Sequence, residues 1–147
     1  MSAINPFSDS NIWAIELILR RLWDRQYDDS KWDIKTKQCY IESIMDKFGR
    51  ETNPIGIVKN NDETYEIFDG CCRLNAINGF CSGEFPIERN NTLYWFTQNN
   101  KVNKEKDYVF SESNKDVFQS MLLNVKIYHE FTDLQKEELF NIKRLIK

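Results

Sequence analysis

Tyr65-Glu66-Ile67-Phe68-Asp69-Gly70-Cys71-Cys72-Arg73-Leu74-Asn75-Ala76-Ile77 is the stretch that decides the fold, because its hydrophobic period changes midway. Tyr65 to Phe68 alternates with the period of a strand, whereas Leu74, Ile77 and Cys81, flanked by Ala76 and Phe80, recur at helical spacing. Asp69-Gly70 lies at the junction. Aspartate is a favoured N-cap, glycine permits a tight turn, and Ser82-Gly83 ends the helix. The segment predicts strand, glycine turn and helix start.

A helix start presents unpaired N–H groups and partial positive charge. Arg73 falls in the first turn, where a cation is unfavourable by about a few tenths to 1 kcal/mol. A bound phosphate would offset this, since backbone N–H groups and a guanidinium can converge on one anion. Asp69 could hold the turn, orient Arg73, or help position a metal or water. The plainer reading makes Asp69 a helix cap, and Asp69 with Arg73 an i, i+4 surface pair of about 0.2–0.5 kcal/mol.

Upstream, Ile12, Ile15, Leu19 and Leu22 recur at helical spacing, and Glu16, Arg20 and Asp24 form a charged row. A helix from Asn11 to Arg25 is expected, capped by Ser8, Asp9 or Ser10 and widened on its apolar side by Trp13, Leu17 and Trp23. Such a helix packs on the core or serves as a docking surface for a partner. Residues 1–30 are read as a helical extension and 31–147 as the domain proper. A second helix is expected from Lys35 to Phe48, with Ile41, Ile44, Met45 and Phe48 as its apolar stripe and Gly49 as its stop. Pro54 opens a strand from Ile55 to Lys59, and Asn60-Asn61-Asp62 turns the chain into a second, Thr64 to Phe68.

Downstream, Leu93 to Thr97 and Tyr108 to Phe110 read as short strands joined by a solvated loop, Gln98 to Asp107. Leu123, Val125 and Ile127 alternate with Asn124 and Lys126, the pattern of a half-buried strand. Thr132 and Gln135 fit a capping box opening a last helix, with Leu134, Leu139, Ile142 and Ile146 facing inward.

Composition narrows the function. The 147 residues are 14% aromatic and carry a net charge of −3, which excludes disordered and coiled-coil classes and argues against a large nucleic-acid footprint. Lys101, Lys104 and Lys106 cluster, but Glu105 and Asp107 interleave them. The most apolar stretch, Ile12 to Trp23, is broken by Glu16, Arg20 and Arg21 and falls short of the roughly 20 residues a bilayer needs. The first ten residues lack the order of a signal peptide. An intracellular protein without a membrane partner is expected. Cys39, Cys71, Cys72 and Cys81 contain no C-x2-C pair and the single histidine, His129, is remote, so no metal site is expected and the thiols should stay reduced.

Phe68-Asp69-Gly70-Cys71-Cys72-Arg73-Leu74-Asn75-Ala76-Ile77 resembles the strand, DGQQR turn and LTAI-like helix of the N-terminal domain of GmrSD-type restriction endonucleases, a branch of the ParB/sulfiredoxin-like superfamily. Trp32, Gln38 and Tyr40-Ile41-Glu42-Ser43-Ile44 are similar to that family's upstream tryptophan, glutamine and LIESI-like helix. Leu123-Asn124-Val125-Lys126-Ile127-Tyr128 and Glu138-Leu139-Phe140 resemble its LPVxxY strand and EIF helix. The resemblance implies a mixed α/β domain of the ParB/sulfiredoxin-like type that binds a nucleoside triphosphate, with or without Mg2+, and in several relatives hydrolyses it. It places Asp69, Gly70, Cys71, Cys72, Arg73 and Asn75 at the phosphates, with Asp69 and Arg73 in the catalytic positions.

The departures from that pattern open alternatives. Cys71 and Cys72 stand where the family has glutamines, and Asn75 stands where it has threonine. Cysteine is a weak hydrogen-bond partner, so a non-catalytic interaction module with a degraded motif is the main rival. Asp28-Asp29-Ser30 replace a frequent Gln-Arg pair. Relatives continue into a helical region and often an HNH-type nuclease; no such motif occurs here, so no nuclease activity is expected of this chain alone, and a nuclease domain or other protein is the implied partner. Similar lone domains occur in large DNA viruses, which would place the protein in a host-cell cytoplasm. Gly70-Cys71-Cys72-Arg73 also resembles the GCHR-like turn of sulfiredoxin, which would make Cys71 a reactive thiol.

Overall fold

In the computed structural model, which describes residues 8–22, 32–47 and 53–129 together with 134, 137, 138 and 141, the chain builds outward from one hairpin. Its strands are β2 (Ile55–Lys59) and β3 (Tyr65–Asp69). They pair antiparallel, Ile57 facing Ile67 and Lys59 facing Tyr65. The connecting turn is tied by Asn60 N–H to the Thr64 carbonyl at 2.8 Å and by the Asn60 side-chain amide to the Thr64 hydroxyl at 3.0 Å. β3 runs through Gly70 into α3 (Cys71–Cys81), as the change of period predicts. α2 (Ile34–Lys47) lies within one residue of its expected bounds and buries Ile41 and Ile44. Phe48 and Gly49 lie outside the described residues.

β7 (Leu122–Tyr128) is the alternating strand expected there, with Leu123, Val125 and Ile127 turned to the core. It lies parallel to β2, Ile55 beside Val125, which makes these two strands the centre of a four-stranded sheet. The order is β1-β7-β2-β3, and β1 (Ser8–Ala14) corrects the expected N-terminal helix. Among the described residues of that segment, only Ile15–Leu22 (α1) are helical. Ser8 to Ala14 pair antiparallel with Tyr128 to Leu122, so the segment capped in the sequence reading by Ser8, Asp9 or Ser10 is an edge strand. Ile12 fits both periods; the pairing wins because it satisfies the outer edge of β7 and buries Trp13, while Ile12 stays 61% exposed. Of the residues read as a helical extension, those described, 8–22, share the sheet and core of the rest, with Ile15, Ile18 and Leu22 fully buried.

A second, three-stranded sheet carries β4 (Ile87–Arg89), β5 (Thr92–Trp95) and β6 (Tyr108–Val109) in that order. β4 and β5 join through Asn90-Asn91, both at positive φ (53° and 65°), the backbone of a two-residue hairpin. The Gln98–Asp107 loop folds back through Asp107, whose carboxylate accepts from the Trp95 indole at 3.0 Å and from the Asn103 N–H at 2.9 Å. α4 (Glu112–Gln119) begins in a capping box between Ser111 and Asn114. Thus the described residues form an α/β arrangement of four helices and two mixed sheets.

Phe80 on α3 knits the layers together. It is fully buried, and its ring lies 5.3 to 6.1 Å from those of Phe85, Phe96, Phe110 and Phe118, which come from α4 and from around the second sheet. The expected inward set of the C-terminal helix is corrected at Leu134, which is helical but 64% exposed. Thr132, Gln135, Leu139, Ile142 and Ile146 lie outside the described residues.

Candidate functional site

β3 delivers Asp69, and the chain then reverses at Gly70, which adopts φ 105° and ψ 17° as the N-cap of α3. No side chain caps this helix, so the expected Asp69 cap is corrected: Asp69 is still the last residue of the strand. Glycine is required here on two counts. The backbone is left-handed, and a Cβ would lie 3.3 Å from both Ile55 Cγ1 and Arg73 Nη1.

Arg73 folds back across that glycine. Its Nη1 donates to the Pro54 carbonyl at 2.8 Å and to the Asn53 carbonyl at 3.3 Å, and its Nη2 lies 3.7 Å from Asp69 Oδ1. The side chain is 17% exposed and points inward, away from bulk water. A carboxylate and two carbonyl oxygens therefore offset the first-turn cation from within the chain. The same contacts clasp the entry of β2 to the head of α3. Cys71 and Cys72 follow in the first turn and Asn75 one turn on; all three are half-buried and engaged within the protein. Asp69, Gly70, Cys71, Cys72 and Arg73 thus share one turn, with Asn75 beside it.

Sequence reasoning passes over Tyr40. Its hydroxyl is buried without a hydrogen-bond partner. Burial pushes the phenol up to about 12, and the positive charge of Arg73 works against that shift, which puts Tyr40 within electrostatic range of the guanidinium. Its only sequence signal is its place in the segment Tyr40-Ile41-Glu42-Ser43-Ile44, read there as helix. Trp32 stacks edge-on against Tyr40 at 5.7 Å, and Gln38 donates to the Pro86 carbonyl at 2.8 Å, which anchors α2 to the residue that leads into β4.

The remaining thiols are simpler. Cys39 is exposed, while burial pushes Cys81 up to about 12 and keeps it protonated. His129 Nε2 lies 2.8 Å from Asp9 Oδ2 and ties the start of β1 to the end of β7. Among the described residues no three metal-ligating side chains converge, and no helix is long and apolar enough to cross a membrane. Comparisons with protein-family models, with curated proteins and with solved structures return no match.

Proposed function

We propose that the head of α3 binds the phosphates of a nucleotide, with Gly70, Cys71 and Cys72 offering backbone N–H groups and Arg73 and Tyr40 offering side-chain donors. The observation that carries the reading is the buried, partnerless Tyr40 hydroxyl within electrostatic range of the Arg73 guanidinium. A buried donor without an acceptor costs about 1–3 kcal/mol, and a phosphate oxygen would relieve that cost. Asp69 is the carboxylate at this turn; it suits Mg2+, which is commonly held by one or two carboxylates together with phosphate oxygens. The proposal is one of binding. The likeness to the GmrSD N-terminal domain supports the same ligand class.

One observation favours a second reading, a non-catalytic interaction module. Arg73 is already bonded to the Asn53 and Pro54 carbonyls, the posture of a structural clasp. Calorimetric titration with ATP and GTP, with and without Mg2+, separates the two. Nucleotide binding predicts a saturable heat that Tyr40→Phe weakens by about ten-fold while the fold is kept. No heat with any nucleotide, or unchanged affinity in Tyr40→Phe, leaves the module reading standing.

A further inference from the structure

A cavity of about 310 Å³ lies on the face of the four-stranded sheet opposite the main core and borders the α3 turn through Pro54, whose carbonyl accepts from Arg73. Its walls come from β1 and β7, with Pro54 at one end, and none of residues 69–75 lines it. Strand register explains what it presents. Ser10 sits directly opposite Lys126 and Ile12 directly opposite Asn124, so these four side chains share one face. Leu123, Val125 and Ile127, the alternate residues of β7, are turned to the core.

The polar groups there are unspent. Ser10 and Asn124 make no side-chain hydrogen bond among the described residues, and Lys126 has no carboxylate partner among them; its ammonium lies 5.5 Å from the Tyr128 ring centre. Asp9, which pairs with Ile127 across β1 and β7, is taken by His129. The cavity therefore combines one half-buried cation, the unused Ser10 hydroxyl and Asn124 amide, and an apolar wall from Ile12 and Pro54. Its volume is at the lower end of small-ligand sites, and convergent polar groups on an apolar wall are their usual chemistry.

We infer that this cavity binds a small organic anion, with its carboxylate or phosphate on Lys126 and its apolar part against Ile12 and Pro54. The site borders the Arg73 clasp at Pro54 but uses none of the residues proposed to hold the nucleotide. Benzoate and phenyl phosphate are the probes, and neutral benzamide is the control, in an amide chemical-shift titration of the whole chain. At least one anion should give saturable shifts at residues 10–12 and 124–126 and at the Asn124 side-chain amide. The tighter of the two identifies the headgroup. Lys126→Met should weaken binding about ten-fold or more, and Lys126→Arg should restore most of it, which separates lost charge from lost fold. The inference is overturned if neither anion saturates by about 10 mM, if benzamide binds equally well, if Lys126→Met binds like the parent, or if the shifts fall at Gly70 to Asn75 instead.

Discussion

Arg73→Ala tests the clasp at the head of α3 most directly. The 2.8 Å bond to the Pro54 carbonyl has a charged donor, and because both carbonyls lie at exposed residues we take the low end for such bonds, about 1.5 kcal/mol. The 3.3 Å contact to Asn53 and the 3.7 Å pair with Asp69 add about a few tenths each. Removing a first-turn cation returns about a few tenths. The net expectation is a loss of about 1.5–2 kcal/mol, or roughly 1 M in the urea midpoint of a domain this size. Arg73→Lys should fall between the two, since an ammonium reaches one carbonyl without the guanidinium fork. Urea unfolding followed by tryptophan fluorescence measures all three proteins. A midpoint within about 0.2 M of the parent in Arg73→Ala would refute the clasp. Loss of nucleotide binding without loss of stability would assign Arg73 to the ligand alone.

Three further outcomes follow from the same contacts. Phe80→Ala removes the ring that touches four other phenylalanines and should cost about 3–5 kcal/mol by thermal or urea unfolding. Gly70→Ala forces a side chain into a left-handed backbone against Ile55 and Arg73; a loss of about 1–2 kcal/mol is expected, and a neutral result would contradict the N-cap geometry. Cys81 and Tyr40 are raised from 9.0 and 10.0 to about 12 each, so the folded chain holds protons that the unfolded chain releases. Their contribution is complete below pH 9 and declines as pH climbs toward 12; Tyr40→Phe should flatten that decline, and a urea midpoint constant from pH 8 to 11 would contradict the burial of both groups.

Much of the central architecture was legible where the hydrophobic period was unambiguous. β2, β3, α3 and β7 all follow from alternation or helical spacing at residues such as Ile57, Leu74 and Val125. β1 was hidden because Ile12 and Ile15 satisfy a helical period while Trp13 and Ile12 also satisfy in–out alternation, and only the partner strand decides between them. α4 escaped because its face is polar apart from Val117 and Phe118, leaving the Ser111–Asn114 cap as its one local signal. β4 also escaped, although Asn90-Asn91 is a dipeptide suited to tight hairpins. At the site, the shared turn of Asp69, Gly70 and Arg73 was readable from spacing. The inward path of Arg73 and the stranded hydroxyl of Tyr40 were not, since both depend on elements distant in sequence.

The parallel pairing of β2 with β7 has a kinetic consequence. Ile55 meets Val125 only after the hairpin, α3, the second sheet and α4 have all been synthesised, so the middle of the larger sheet closes last. A nascent chain halted after β6 would carry β2 with one edge bare and β1 with no mate, a template for self-association. Translation rate and chaperone access over the final third of the chain should therefore govern soluble yield more strongly than they do over the first third.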